Sequence, residues 1–421
     1  MDIRITPSAL KGRVEVPASK SDAHRNLISA ALADQPTNVR ISSYSDDIHV
    51  TMNCLRALGA KITVTASNLL TVEPLWSNQS AVAALDCGES GSTLRFLIPV
   101  VAALGVKGTF TGHGRLPERP IHQLLDQLKN HGCQWDRTKL PLTLQGPIAG
   151  GTYTLPGNVS SQFVSGLLFA LPLLKEDCIL VLTSKLESKG YVNMTQSTLK
   201  KFGIVIEEWA NGYGIKGRQT YRSPQSLQVE GDWSNAAFWV CAGALPGSAV
   251  SCTGLIKESL QGDKEIINVL KGFGAEVSFL NNTAQAVGKP LQARSIDAAE
   301  IPDLIPILSV VAAAAKGTTE IYNAGRLRIK ESDRLAAMAE NLTHIGADVT
   351  EKQDGLIIRG GKPLQGGVVK GFGDHRIIMS MAIAATLCQG DLTIEGFEAV
   401  NKSYPQFFEH FKMLGGLINI L

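Results

Sequence analysis

The stretch Pro17-Ala18-Ser19-Lys20-Ser21-Asp22-Ala23-His24-Arg25 leads straight into an apolar run from Leu27 to Ala33. It sets a cation, two hydroxyls and a guanidinium where a helix begins. The start of a helix offers unpaired N–H groups and a positive dipole end, which suits an anion. Ser or Asp before an apolar run is also how an ordinary helix is capped, so one copy decides nothing. The arrangement acquires meaning because the chain repeats it six times.

Six stretches carry the same pattern of a helix ending in Gly followed by a short alternating strand. They are LRALGAKITV, LKNHGCQWD, LKKFGIVIEEW, LKGFGAEVSF, LTHIGADVTE and FKMLGGLINI. Their glycines, Gly59, Gly132, Gly203, Gly274, Gly346 and Gly415, are spaced by 73, 71, 71, 72 and 69 residues. Gly suits the left-handed position that ends a helix, so these six glycines are read as structural. Between them lie six more apolar, nearly uncharged helices, expected at about 21–33, 92–104, 161–174, 234–245, 303–315 and 376–388. A helix that is apolar all round is buried among neighbours. The repeating order is strand, buried helix, strand, outer helix, strands.

Units of this length are too long for a solenoid and suit globular pseudo-symmetry, three units wrapping their apolar helices around one axis. The expected class is therefore α/β (α+β), with two pseudo-threefold domains. Residues 2–16 hold strands ahead of the first repeat, while the sixth repeat ends at Leu421 without its last strand. The N-terminal segment is thus expected to join the C-terminal half. One domain would comprise 1–18 plus 231–421, the other 19–230, with crossovers near 17–21 and 224–232.

Among 421 residues, 44% are hydrophobic and 19% charged, a globular balance that argues against disorder. Forty Lys and Arg against 38 Asp and Glu give +2, so no basic field argues for nucleic acid and any anion site must be local. Seven scattered cysteines with no CxxC pair point to reduced thiols and a cytoplasmic location, and give no metal-ligand spacing. The longest apolar runs span about a dozen residues, short of the ~20 needed to cross a bilayer. No basic n-region with an apolar core and cleavage site opens the chain, so a cytoplasmic location is expected.

The unusual residues gather at strand-to-helix junctions, on one edge of each domain, where α/β folds bind ligands. Two such edges facing each other would make a cleft dense in cations. Each cluster also has a structural reading. Lys330-Glu331-Ser332-Asp333-Arg334 reads equally as an exposed first turn with weak ion pairs. Asp374-His375-Arg376 reads as a cap with a structural His, and Ser160-Ser161-Gln162 as a capping cluster. Arg119-Pro120-Ile121 reads as a turn with Pro opening a helix, and Gly91 as a tight turn.

Taken together, Lys20-Ser21 with Arg25, Gly91-Ser92 with Arg95, Arg119-Pro120-Ile121, Ser160-Ser161-Gln162, Ile301-Pro302-Asp303, Lys330 to Arg334, Asp374-His375-Arg376 and Lys402 form a series. It resembles, in order and across essentially the whole chain, the motif series of the 5-enolpyruvylshikimate-3-phosphate synthase family. The resemblance implies two domains of three βαβαββ units, the inside-out barrel of enolpyruvyl transferases, joined by two crossovers. It implies transfer of the enolpyruvyl group of phosphoenolpyruvate to the 5-hydroxyl of shikimate 3-phosphate, in aromatic amino-acid biosynthesis. No metal or organic cofactor is implied, and a site built within one chain needs no partner, so a monomer is expected. By motif position Lys20, Ser21, Arg25, Ser160, Ser161, Gln162, Ser188, Asp303, Arg326 and Lys330 would contact shikimate 3-phosphate. Lys20, Gly91, Arg119, Gln162, Arg334, Arg376 and Lys402 would contact phosphoenolpyruvate. Asp303, Glu331, Lys20 and Lys402 would be the catalytic set.

The chain departs from the family pattern at several places. Glu89 stands where Asn is common, Ser92 where Thr is usual, Phe96 where many members have Pro, and Ala18 before Ser-Lys where Gly is frequent. Phe96 bears on how Gly91 faces phosphoenolpyruvate, and on sensitivity to analogues such as glyphosate. Arg326 takes the place of a substrate-binding Asn. Two other readings compete. A UDP-N-acetylglucosamine enolpyruvyl transferase would carry a cysteine in the loop His113 to Ile121, which has none. A non-catalytic anion-binding protein of the same fold would have no use for Asp303 and Glu331 among its cations, because an acid weakens anion binding.

Overall fold

The structure, a computed structural model, describes all 421 residues. The chain divides into two compact units, Met1–Pro17 with Glu230–Leu421, and Ala18–Val229. Each contains six α-helices, alternately buried and outer. In Ala18–Val229 these are α1 (Lys20–Ala31), α2 (Asp46–Ala57), α3 (Gly91–Leu104), α4 (His122–Asn130), α5 (Ser161–Ala170) and α6 (Lys189–Lys201). In the other unit they are α7 (Trp233–Ala244), α8 (Ile266–Gly272), α9 (Ile305–Ala314), α10 (Arg334–His344), α11 (His375–Ala385) and α12 (Phe407–Met413).

The odd-numbered helices are the apolar ones, and the reason is local composition. Every residue of α7 and of α11 is buried. With no polar face to turn to water, such a helix must sit inside. In one unit α7, α9 and α11 touch one another pairwise; in the other, α3 touches both α1 and α5. Gly166 permits the close approach of α5 to α3, since a Cβ there would lie 2.4 Å from the Arg95 carbonyl oxygen. The even-numbered helices end just before Gly59, Gly132, Gly203, Gly274, Gly346 and Gly415, whose φ angles fall between 75° and 113°. That region is closed to most side chains, so Gly stops each outer helix and turns the chain into the next strand.

Six four-stranded sheets accompany these helices, three per unit, all with the same pattern of one parallel and two antiparallel pairings. Val82–Asp86 pairs parallel with Lys107–Thr111, which pairs antiparallel with Leu142–Gln145, which pairs antiparallel with Gln134–Trp135. Parallel pairing requires a crossover, and α3 is that crossover. Ala83 and Leu85 face inward and Val82, Ala84 and Asp86 outward, the alternation expected of a sheet with one buried face.

Two strands pair with the unit that the chain is about to leave. Lys11–Glu15, just ahead of α1, pairs parallel with Ala249–Thr253; Ser226–Gln228, just ahead of α7, pairs parallel with Thr37–Arg40. Asp2–Thr6 lies between Leu392–Glu395 and Leu417–Ile420 and fills out the sheet of the sixth repeat.

Several helices fall short of the expected runs, α1 ending at Ala31 and α11 at Ala385, and two of the differing boundaries have a local cause. The run expected at 161–174 ends as α-helix at Ala170 and tightens into a 3-10 turn, Leu171–Leu173. Pro172 has no N–H to give the Leu168 carbonyl, so the α pattern stops there. The run expected at 303–315 begins as a 3-10 turn, Pro302–Leu304, and turns α-helical only at Ile305, with Pro306 in the first turn. Asp303 therefore sits on a tight turn ahead of α9. Each unit has its own continuous apolar core. No helix is long and apolar enough to cross a membrane.

Candidate active site

In the unit Ala18–Val229 the starts of three buried helices carry the polar residues. Ser19 caps α1 by accepting the Asp22 N–H, and Lys20 follows as the first helical residue. The Lys20 ammonium donates to Asp47 of α2 at 2.8 Å, an ion pair largely shielded from water. Arg25 is buried and tied to α6, donating to Thr195 Oγ1 at 2.9 Å and to the Tyr191 carbonyl at 2.8 Å. Burial lowers its guanidinium to about 10, which leaves it charged at neutral pH. Its Nη1 also donates to the carbonyl of Ser21, so the start of α1 and the start of α6 are held together. Ser188, at the head of α6, is buried in the left-handed region with φ 52°. For a residue with a Cβ that conformation costs on the order of 1 kcal/mol and marks a constrained position.

A second group surrounds the start of α3. Ser90 caps the helix and accepts the Thr93 N–H. Arg119 lies flat against Gly91, since a Cβ on residue 91 would be 2.7 Å from its Nη1, 2.9 Å from Cζ and 3.0 Å from Nη2. Gln162 of α5 accepts from Arg95 at 2.7 Å and donates to Ser92 at 2.8 Å. Ser160 caps α5 by accepting the Gln162 N–H, and Ser161 opens the helix. Gly91, Ser92, Arg95, Arg119, Ser160, Ser161 and Gln162 are thus one connected cluster, which Arg95 also joins to the Pro120 carbonyl.

In the unit Met1–Pro17 with Glu230–Leu421 the centre is Arg334, 1% exposed at its side chain. It donates to Asp303 at 2.8 Å, to Glu331 at 2.8 Å and to Asp374 at 2.8 Å. A planar guanidinium with five donors is the one side chain able to organise three carboxylates at once. Asp303 is also met by Arg376 at 3.4 Å and by Lys330 at 3.8 Å. Burial alone would push the Asp303 carboxyl up, but Arg376, Lys330 and Arg334 outweigh it and hold it well below the usual carboxylate range. Asp374 caps α11, accepts from Ser332 at 2.9 Å, and is kept at about 2 because Arg334 overcomes the opposing effect of its burial.

The structure gathers Asp303, Lys330, Glu331, Arg334 and Arg376 into this one cluster. Arg326 donates to the Ala299 carbonyl at 2.7 Å, just ahead in the chain of the 3-10 turn that carries Asp303. Lys402 is buried and ends a 3-10 turn, Phe397–Lys402.

Three acids matter here whose partners the sequence did not show. Asp47 holds Lys20, and Asp374 anchors Arg334. Asp263, fully enclosed at the head of α8, accepts from Ser234 and is pushed up to about 6 by burial and by the charge of Asp303. Asp46 and Asp47 are adjacent acids in the first turn of α2, and sequence alone does not tell which of them meets Lys20; Gln-Gly-Asp at 261–263 carries no motif signal. No group of three or more His, Cys, Asp or Glu is placed to hold a metal ion.

Comparison with known proteins gives this arrangement a family. Residues 5–411 match the family EPSP synthase (3-phosphoshikimate 1-carboxyvinyltransferase). The 3-phosphoshikimate 1-carboxyvinyltransferase of Clostridium kluyveri is 44% identical over 99% of this chain and 98% of its own. The one of Clostridium acetobutylicum is 45% identical over 98% and 97%. Among solved structures, the EPSP synthase of Acinetobacter baumannii is 27% identical, covers 100% of both chains and superposes with a TM-score of 0.82. The enolpyruvyl transferase NikO of Streptomyces tendae, 20% identical over 99% and 98% with a TM-score of 0.81, shares the fold. With the match running through both units and taking in every helix start described above, the chain belongs to the EPSP synthase (3-phosphoshikimate 1-carboxyvinyltransferase) family.

Proposed function

We propose that the chain transfers the enolpyruvyl group of phosphoenolpyruvate to the 5-hydroxyl of shikimate 3-phosphate and releases phosphate. It is a transferase of the shikimate route to aromatic amino acids, the activity named for its family. The observation that carries the mechanism is Asp303, a carboxylate kept ionised among Arg334, Arg376 and Lys330. An ionised acid in a cluster of cations is of no use for holding anions, but it can take a proton once the charge of bound substrates offsets those cations.

In this reading the substrate 5-oxygen bonds to C2 of phosphoenolpyruvate while its proton passes to Asp303, and C3 gains a proton. The tetrahedral intermediate then loses a C3 proton and its phosphate, which restores the C2–C3 double bond. Lys20 and Glu331 serve the proton that enters and leaves C3, and Lys402 completes the catalytic set. Shikimate 3-phosphate is assigned to Lys20, Ser21, Arg25, Ser160, Ser161, Gln162, Ser188, Asp303, Arg326 and Lys330. Phosphoenolpyruvate is assigned to Lys20, Gly91, Arg119, Gln162, Arg334, Arg376 and Lys402. Both substrates carry a phosphate and a carboxylate, and Arg forks match such oxyanions. Their negative charge offsets the cations around Asp303 and so raises its basicity when it is needed. Electrostatic stabilisation by Lys20, Arg119, Arg334, Arg376 and Lys402 supplies much of the barrier reduction.

The reading requires neither a metal nor an organic cofactor, and it places a monomeric enzyme in the cytoplasm. Seven buried free thiols accord with a reducing compartment. Phosphate release from phosphoenolpyruvate with shikimate 3-phosphate, but not with UDP-N-acetylglucosamine, is the direct test; no release with either acceptor leaves an anion-binding protein. Asp303→Ala should lower kcat by about 10²–10⁴-fold with much smaller changes in KM. A normal turnover rate in that variant would remove the base assignment.

A further inference from the structure

A chain of hydrogen bonds runs inside the unit Ala18–Val229, behind the start of α3. His24 Nδ1 of α1 is 2.6 Å from Thr51 Oγ1 of α2, which is 2.6 Å from Thr93 Oγ1 of α3, which donates to Ser90 Oγ at 2.8 Å. All four side chains are 0% exposed, so water does not share in the bonding.

The proton inventory fixes the direction of this chain. A hydroxyl has one hydrogen. Thr93 gives its hydrogen to Ser90, so it accepts from Thr51; Thr51 has then given its own, so it accepts from the imidazole. His24 is therefore protonated at Nδ1. Burial lowers its pKa to about 3, which keeps the ring neutral and leaves Nε2 without a hydrogen. Nothing in the protein donates to that buried Nε2. A bare acceptor in a core is costly and calls for a reason. The His24 and Phe96 rings stand nearly perpendicular, 6.5 Å between centroids.

We propose that His24, acting through Thr51 and Thr93, is a positioning residue for phosphoenolpyruvate, because it fixes the Ser90 cap and with it the first turn of α3. The inference rests on the functional reading above, in which Gly91, Arg119 and Gln162 receive that substrate. Ser90 immediately precedes Gly91, Gly91 is packed against Arg119, and Ser92 is bonded to Gln162. A shift of the cap moves all three groups. Lys20 is one turn ahead of His24 on α1, so the same chain couples the start of α1 to that of α3.

The test compares Thr51→Val, which keeps shape and loses the hydroxyl, with Thr51→Ser, which keeps the hydroxyl. For Thr51→Val the KM for phosphoenolpyruvate should rise about tenfold or more while the KM for shikimate 3-phosphate changes less than about threefold. Thr51→Ser should restore the wild-type value. Nitrogen-15 spectra of histidine in the wild type should report His24 as the neutral Nδ1–H form throughout pH 5–8, a readout that needs no variant to fold. An active wild type whose Thr51→Val form keeps its phosphoenolpyruvate KM, or weakens for both substrates alike, overturns the proposal alone. So does an Nε2–H or charged His24. A wild type that does not turn over the substrate pair overturns the functional reading, and the proposal with it.

Discussion

Gly91→Ala isolates one contact of the candidate site. The alanine methyl would sit 2.7 Å from Arg119 Nη1, where ordinary van der Waals contact begins at 3.4 Å, so the guanidinium must retreat by about 0.7 Å. The nearest atoms belong to the end of a long side chain rather than to backbone, so the fold can absorb the change. Gly91 has no positive φ, and it is the first residue of α3, where Ala is at least as favourable as Gly. Stability should therefore be unchanged or slightly higher. The functional effect should be large. A charge-assisted hydrogen bond of about 2.8 Å stretched by ~0.7 Å is no longer one. Losing it costs about 1.5–3 kcal/mol, or roughly a 10- to 150-fold rise in the KM for phosphoenolpyruvate.

Steady-state kinetics with each substrate varied in turn, alongside a thermal melt, checks the argument. The expected result is a selective rise in the phosphoenolpyruvate KM, a shikimate 3-phosphate KM within about threefold of wild type, and an unchanged melt. Analogues that use the same Arg119 contact should lose affinity in parallel. A folded Gly91→Ala enzyme with a wild-type phosphoenolpyruvate KM would refute the assignment of Arg119 to that substrate.

Arg334→Lys should lose stability by about 3–5 kcal/mol in urea unfolding, because one ammonium cannot serve Asp303, Glu331 and Asp374 together and leaves buried carboxylates unpaired. A variant as stable as wild type would show that the three pairs are not energetically linked to this side chain. Asp47→Asn removes the carboxylate that holds Lys20 at 2.8 Å, so kcat/KM should fall by about tenfold or more, with the fold intact by circular dichroism. Unchanged kcat/KM would mean that Lys20 needs no anchor.

The architecture was legible because it is written in local terms. A Gly that must take positive φ, recurring every 69 to 73 residues, marks the end of each outer helix. An all-apolar run marks each buried one. Alternation announces a strand but not its neighbour, so the pairing of Lys11–Glu15 with Ala249–Thr253, more than two hundred residues away, is visible only in the folded chain. The candidate site shows the same limit. Helix starts rich in Lys, Arg and Ser are read directly from sequence, whereas the carboxylate that each cation meets is not, since an Asp at a first turn looks like a cap wherever it is. Asp263 is the extreme case, an acid with no motif around it whose environment is set entirely by tertiary burial. Its raised pKa has a measurable consequence. With about 6 in the folded protein against ~3.9 unfolded, the native state prefers the protonated form. The stability that goes with it is fully present below about pH 4 and is lost as pH rises through 6. Asp263→Asn lacks this titration, so the stability of the variant relative to wild type should increase by on the order of 1–2 kcal/mol from pH 5 to pH 8 in urea unfolding. A difference that stays flat, or grows toward acid pH, would mean that Asp263 is already ionised at pH 5 and that Arg376 outweighs its burial and the Asp303 charge.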